Sequence, residues 1–463
     1  MGLAWRAPSP YIGGMSDDLE RNRLAGRIAR VARVGANMSA AAVTFGTQRL
    51  MGSEAADRNI ASALRQALGK TRGPLMKVAQ IMATIPDLLP PEYAEELGQL
   101  QANAPAMGWP FVKRRMRAEL GSDWETKFSS FDRDASHAAS LGQVHRATLH
   151  DGRAVACKLQ YPDMASAVES DVNQLKSLLG MFKAFEKSID PSEAVEEVTE
   201  RLREELDYER ERQHMRLYGD LLSGHADIVS PDPIDELSTG RLLTMTWLDG
   251  APLLSFKEAP QEQRDRIASL LFKAWWVPMT QTGVIHGDPH LGNYSLTPHA
   301  EKLNLLDFGC VRIFPPKFVA GVVKLYLSLE KNDFDGTMEA YEIWGFKGLT
   351  RKLAEVLNLW ARFIYAPLLD DRVRTVADGV APGDYGRKEA FEVRNLLKLH
   401  GPVTIPREFV FMDRAAIGLG AAYLHLGANL NFYRLFQDSI AGFDEAALGA
   451  RQGAALARVG LVP

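Results

Sequence analysis

The 463-residue chain reads as an α+β protein of two lobes, with a small antiparallel sheet ahead of a larger helical lobe and a helical extension before both. Three observations predict this. Residues 129–160 carry two β-type runs joined by Asp151-Gly152, a hairpin turn pair. Residues 164–225 and the stretch after residue 251 return to helical spacing. Within that later half, two apolar β-type runs each open into a polar loop, Gly283 to Asn293 and Leu303 to Gly309. The expected segments are 1–53 (basic, amphipathic), 54–128 (helical extension), 129–250 (sheet lobe) and 251–463 (helical lobe).

Composition allows a folded core. Hydrophobic residues make up 46% and charged residues 24%, normal for a globular protein. A net charge of -4 gives no global attraction to nucleic acid. Cys157 and Cys310 each lie in or beside an apolar run and read as small core residues in a reducing compartment. No apolar run reaches the ~18 residues of a membrane span. The best candidate, Ala268 to Ile285, is interrupted by Lys273 and Pro278 and reads as a buried helix. The N-terminus lacks a myristoylation signal and a signal-peptide core. Asp17, Asp18 and Glu20 argue against a transit peptide, and either Met1 or Met15 is the start. A cytoplasmic protein is expected, free or peripheral on the inner face of the membrane.

In chain order, Leu24, Ile28 and Val31 share one helical face beside Arg23, Arg27, Arg30 and Arg33. Such a basic amphipathic helix suits an anionic membrane surface as well as its own domain. Lys77 and Gln80 lie on an amphipathic helix within 54–118. Ala138, Ala139, Ser140 and Gly142 precede the hairpin strand, and Lys158 lies on the return strand. The charged block Glu204-Glu205-Leu206-Asp207-Tyr208-Glu209-Arg210-Glu211 is helical. Arg241 to Gly250, with Met245, reads as a strand and turn.

The two polar loops carry the chemistry. Asp288, Asn293 and Asp307 bring two carboxylates and a carboxamide to successive loop tips. Phosphoryl transfer from Mg-ATP needs this set: one Asp for the acceptor, and an Asn and an Asp for the metal ions. Asp288-x-x-x-x-Asn293 has the spacing of the kinase catalytic loop, and Asp307-Phe308-Gly309 is the kinase metal-binding triplet. His286 and His290 have H-x-x-x-H spacing, but Gly287 and Pro289 break any helix between them. They read as loop residues rather than a zinc pair. After Gly309 the chain enters a helix with no Ala-Pro-Glu and no long activation segment, which argues against a peptide acceptor.

Together these motifs resemble the UbiB/AarF/ADCK family of atypical kinase-like proteins, within it the coenzyme-Q-linked branch, over residues 70 to 440. The resemblance implies a bilobal protein-kinase-like fold: an antiparallel-sheet N-lobe, a helical C-lobe, and an N-terminal extension folded over the active site. It implies ATP and Mg2+ as cofactors, and ATPase or small-molecule phosphotransfer activity. It also implies a quinone-like or lipid partner, contact with coenzyme Q biosynthesis enzymes, and support of ubiquinone biosynthesis at a membrane. By position, Lys77 and Gln80 become active-site residues of the extension, with Asp207 and Glu211 meeting Lys77. Lys158 becomes the ATP lysine and Glu205 its partner, with Glu204 the alternative. Asp288 becomes the catalytic Asp, and Asn293 and Asp307 the metal ligands. Ala138, Ala139, Ser140 and Gly142 line the phosphates, and Met245 lies where the hinge lines the adenine pocket.

Three departures stand out. Ala79 replaces a glycine in the Lys77–Gln80 motif, His137 replaces the first alanine of the loop, and Thr246 replaces an acidic hinge residue. Ala138 and Ala139, in place of glycines, restrict positive φ, so the loop should grip phosphate differently. Two other readings compete: an ATP-binding pseudokinase scaffold for lipid enzymes, and a small-molecule kinase of the aminoglycoside or choline type. The second leaves the Lys77–Gln80 helix and the alanine loop unexplained.

Overall fold

The structure, a computed structural model, describes residues 106–138, 141–164, 166, 168, 169, 199, 200, 202–400 and 406–461. The basic segment 16–50, the Lys77–Gln80 helix, Ala139 and Ser140 lie outside these residues, so the expectations placed on them are untouched. The chain divides into two compact units. The first comprises Met1–Ala106, Ala138–Gln143 and Gln160–Leu206. Within it, Tyr161 N–H donates to Leu141 O at 3.0 Å, and Gln160 Nε2 donates to Leu206 O at 3.0 Å. The second comprises Met107–His137, Val144–Leu159 and Asp207–Pro463, and it is α+β.

The sheet of the second unit follows from its hairpin. Strands β1 (Ser130–Phe131), β2 (His137–Ala138), β3 (Gly142–Thr148) and β4 (Ala154–Gln160) precede β5 (Ile228–Val229) and β6 (Leu242–Thr246). The order is β1-β3-β4-β6. β1 runs antiparallel to β3 and β4 antiparallel to β6, with Lys158 opposite Leu243. The β3–β4 turn forms where Asp151-Gly152 predicts it. Gly152 takes φ +87° and donates to Leu149 O at 3.0 Å, and Asp151 accepts from the Arg153 backbone N–H. Helix α1 (Trp109–Leu120) precedes β1, and Trp109, Trp124 and Phe131 gather there edge to face.

The helical part is built around α3 (Gln261–Thr282), the chain's longest described helix. Helix α2 is Tyr208–Leu221. Leu270, Leu271, Phe272, Trp275 and Met279 of α3 are all buried, each worth roughly 1.5–3 kcal/mol against exposure. This is the buried helix expected between Ala268 and Ile285. Pro278 lies inside α3, and the Thr280 and Thr282 hydroxyls donate to the carbonyls of Trp276 and Pro278. Strands β7 (Ala251–Pro252), β8 (Val284–His286), β9 (Tyr294–Leu296), β10 (Leu303–Leu305) and β11 (Val311–Ile313) form two small sheets, β5-β10-β9-β7 and β11-β8. Helices α4 (Pro316–Glu330), α5 (Phe334–Trp344), α6 (Arg351–Tyr365), α7 (Arg387–His400), α8 (Arg407–Leu426), α9 (Phe432–Ile440) and α10 (Glu445–Arg458) complete the chain. The breaks expected near Ala366-Pro367 and 379–386 fall between α6 and α7.

One junction decides where the loop from Gly287 to Asn293 starts. Gly283 ends α3 in the left-handed conformation at φ +70°, its N–H bonded to Met279 O at 2.9 Å. A Cβ there would lie 2.6 Å from Phe314 O and 2.8 Å from Gln452 Nε2. That Nε2, buried on α10, donates to Thr282 O at 2.7 Å and Phe314 O at 2.8 Å. The turn therefore admits no side chain, on both conformational and steric grounds. Gly379 also has positive φ, but a Cβ there would meet nothing within 4 Å. Gly379→Ala should cost about 1 kcal/mol, the left-handed penalty alone. Gly283→Ala should cost at least ~2 kcal/mol. Urea midpoints compare the two; equal shifts would contradict this account of the junction.

Candidate active site

Lys158 comes from the middle of β4. Its Nζ donates to both oxygens of Glu211, at 2.7 and 2.9 Å, and to Asp307 Oδ2 at 3.4 Å. The Tyr208 ring lies 5.3 Å from the ammonium. The Lys158 side chain keeps 22% exposure and Glu211 only 2%. Burial is the largest influence on Lys158 and would lower its pKa. The carboxylates of Asp307 and Glu211 outweigh it and hold the ammonium charged well above the usual lysine range. Burial pushes the Glu211 pKa up, while the Lys158 charge draws it back.

The partner of Lys158 is thus Glu211, not Glu205. The reason is the phase of the helix. Asp207 is the N-cap of α2, its side chain accepting from Arg210 N–H at 3.0 Å. Glu205 lies on the turn before that cap. Counting from the cap, Tyr208, Glu211, Met215 and Tyr218 fall on the buried stripe. Asp207, expected to meet Lys77, spends its carboxylate on the cap.

The two loops lie side by side because their strands pair. β9 and β10 are antiparallel, with Leu305 opposite Tyr294, and Leu306 N–H donates to Asn293 O at 3.0 Å. Asn293 Nδ2 donates to Asp288 O at 2.9 Å and Asp288 Oδ2 at 3.4 Å. Gly287 is required here: its N–H meets Cys310 O at 2.6 Å, and a Cβ would lie 2.7 Å from that oxygen. Asp307 Oδ1 accepts from Gly309 N–H at 2.9 Å. His286 is buried on β8, and its Nε2 donates to Asp307 O. His290 caps the short turn at Leu291–Asn293 through Nδ1. The two histidines therefore have separate structural duties. From above, α8 presents Gly418, where a Cβ would come within 2.8 Å of Pro289.

The oxygens available suit a hard divalent cation. Asn293 turns its amide nitrogen onto Asp288, and no donor among the described residues reaches its Oδ1. Asp307 keeps 42% side-chain exposure. No group of three His, Cys, Asp or Glu side chains gathers as a metal cage among the described residues. Mg2+ does not need one, since it is commonly held by one or two carboxylates plus substrate phosphates. Met245 is buried in β6 opposite Ala156, and the Thr246 hydroxyl accepts from Asp232 N–H at 2.9 Å. Ala138 and Gly142 belong to the first unit and to the chain on either side of the undescribed Ala139 and Ser140.

Residues 99–341, just over half of the chain, match the ABC1 atypical kinase-like domain. The chain belongs to the ABC1 atypical kinase-like family. Among its curated relatives, the atypical kinase coq-8, mitochondrial, of Caenorhabditis elegans is 34% identical over 287 residues, 61% of this chain and 37% of the relative. The atypical kinase COQ8, mitochondrial, of Saccharomyces cerevisiae is 30% identical over 284 residues, 61% of this chain and 56% of the relative. The chain thus spans well under two thirds of these relatives. Among solved structures, the Rv3197–erythromycin complex from Mycobacterium tuberculosis is similar at a TM-score of 0.59 and 27% identity. The match covers 86% of this chain and 98% of that one.

Of the two histidines beside the Asp307 turn, His214 escapes the sequence reading, and His286, read there as a loop residue, ends strand β8. His214 follows Glu211 by three residues on α2, and its buried Nδ1 donates to Phe308 O at 3.2 Å. Phe308 is fully buried against Tyr218, with ring centroids 5.5 Å apart. Both histidines therefore fix backbone carbonyls of the Asp307-Phe308-Gly309 turn. A polar residue on the buried stripe of α2 is the signal that identifies His214. Burial pushes its pKa down to about 3, Arg210 adds to this, and the Phe308 hydrogen bond opposes it. In the unfolded chain it takes a proton near 6.5. Its contribution is therefore fully present above pH ~6.5 and lost as pH falls toward the folded value. Urea unfolding at pH 7.5 and 5.0 should show the parent losing more stability than His214→Gln. Equal losses would contradict this role.

Proposed function

We propose that this protein binds Mg-ATP at Lys158 and either hydrolyses it or passes its γ-phosphoryl group to a small quinone-like or lipid acceptor, in support of ubiquinone biosynthesis. The observation that carries the reading is Lys158, fixed between Glu211 and Asp307, with Asp288 and Asn293 on the neighbouring strand end. Lys158 offers its ammonium to the α- and β-phosphates while Glu211 keeps it aimed. Asp288 accepts the proton of the attacking water or hydroxyl. As that oxygen bonds to the γ-phosphorus, the bond to the bridging oxygen breaks and ADP leaves. Bound Mg2+ supplies neutralisation of the phosphate oxygens, with Asp307 and the Asn293 carboxamide oxygen as its protein ligands. Gly309 N–H and the two histidines hold the Asp307 turn in place for this.

The short connection after Gly309 favours a small acceptor. The chain passes through β11 directly into α4 at Pro316, leaving little chain for a peptide-docking segment. If Lys77 and Gln80 act at the phosphates as the family resemblance implies, they would add a positive charge where a peptide hydroxyl would enter. No helix among the described residues is long and apolar enough to cross a membrane. A peripheral position on the inner face of the membrane, through Arg23 to Arg33, accords with that.

ATP consumption, phosphate incorporation into a peptide mixture, and Mg-ATP binding test this together. The parent should consume ATP with little peptide labelling. Anionic liposomes carrying a phenol-like quinone precursor should speed consumption, and deletion of residues 1–50 should remove that gain. Asp288→Asn should lose at least ~100-fold in turnover, and Asp307→Asn should bind Mg-ATP weakly. Peptide labelling that matches ATP consumption and disappears in Asp288→Asn would overturn the acceptor assignment. Unchanged Mg-ATP binding by Asp307→Asn would overturn the metal assignment.

A further inference from the structure

A polar cluster outside the Lys158 centre fixes the turn at residues 247–250, which joins β6 to β7. On the face of β4 that carries Lys158, the next residue is Ala156, about 7 Å away by strand rise. Ala156 lies opposite Met245, beside which the family resemblance puts the adenine. With its phosphates at Lys158, a nucleotide therefore runs its base toward the end of β6 and this turn. The turn is held from two sides. On the sheet side, Trp247 N–H donates to Ala154 O at 2.9 Å. The Trp247 indole Nε1 donates to the Asp249 carboxylate at 2.8 Å, and Arg146 of β3 lies over the indole at 5.0 Å. On the other side, Asn304 Nδ2 donates to Asp249 O and to Ser295 Oγ, both at 3.1 Å. Gly250 is pressed against the same pair. A Cβ there would lie 2.7 Å from Ser295 Oγ, 2.8 Å from Asn304 Nδ2 and 2.9 Å from Leu296 O.

Asn304 is costly where it stands. It is 2% exposed, in the middle of β10 between the buried Leu303 and Leu305, and a buried amide destabilises unless it is hydrogen-bonded. An apolar residue would fill β10 without that cost but could not hold Asp249 O. Beside the carbonyl that Asn304 holds lies an open peptide. Leu248 N–H and C=O make no hydrogen bond among the described residues, so the turn offers one donor and one acceptor. Adenine presents a donor, its N6 amine, beside the acceptor N1. Guanine presents the acceptor O6 beside the donor N1–H. A peptide held in one place pairs with one pattern and leaves the other with unmet groups. We infer that Asn304 is a positioning residue for base recognition. By tying Asp249 O to β9 and β10, it sets where the Leu248 peptide stands and so which purine the site takes. The inference rests on Lys158 as the phosphate anchor, and it adds a selectivity for adenine over guanine that phosphate contacts cannot supply.

Calorimetric titration of the full-length protein with Mg2+ and ATP, GTP or inorganic tripolyphosphate separates base from phosphate recognition. The parent should prefer ATP to GTP by about tenfold or more. Asn304→Ala removes the tie, and Gly250→Ala pushes the turn off Ser295 and Asn304, so two independent changes disturb one contact. Each should weaken ATP binding about tenfold and erase most of the preference, with tripolyphosphate affinity kept within about twofold of the parent and circular dichroism native. Gly240→Ala, where a Cβ would meet nothing within 4 Å, should behave like the parent. A parent-like ratio of ATP to GTP affinity in folded Asn304→Ala or Gly250→Ala would overturn the assignment, as would equal losses of ATP and tripolyphosphate binding. So would a parent that binds ATP and GTP equally, or unfolding of both variants, which would show a purely structural duty. A parent that binds neither ATP nor tripolyphosphate would overturn the Lys158 reading itself and this assignment with it.

Discussion

Glu211 and Asp307 share one ammonium, and the shape of the site depends on that sharing. Glu211 comes from α2, Lys158 from β4 and Asp307 from the turn after β10. Three segments far apart in sequence are thus tied at one point. Removing one partner from such a buried set is costly, because the remaining charge stays out of water. A loose arrangement is excluded for the same reason: a carboxylate as buried as Glu211 must stay in hydrogen-bond range of its cation. The ion pair is therefore a weak source of net stability and a strong constraint on geometry.

The rest of the second unit serves that constraint from below. Gln452 ties the end of α3 to the strand after the Asp-Phe-Gly turn, and Gly283 and Gly287 let backbones approach too closely for any side chain. His214 and His286 then hold the carbonyls of Phe308 and Asp307, so the Asp307 carboxylate is aimed by its own backbone. Thr280 and Thr282 answer carbonyls in the last turn of α3, where Pro278 disturbs the helix. The Asp288 loop is thereby held from the helical core, while Asp288 and Asp307 remain partly open to solvent.

The features legible in the sequence are local. Asp151-Gly152 fixes a hairpin through turn chemistry, and the runs before Gly287 and Leu306 fix two strands through apolar pattern. The Asp288-to-Asn293 loop and the Asp-Phe-Gly turn stand out by spacing. The partner of Lys158 does not. Glu204, Glu205, Asp207, Glu209 and Glu211 crowd eight positions, and the choice turns on helix phase, which the Asp207 cap sets. That cap is a usable signal. The histidine contacts depend on distant carbonyls, and so does the Asn304 contact with Asp249 O. Neither leaves a mark in any short window.

Central to the site is Glu211 acting through Lys158. A double-mutant cycle on ATP affinity, with Lys158→Met, Glu211→Gln and both together, isolates that coupling. Each single change should weaken ATP binding, and Glu211→Gln should add almost nothing once Lys158 is gone. Fully additive losses, or parent-like ATP binding in Lys158→Met, would contradict it.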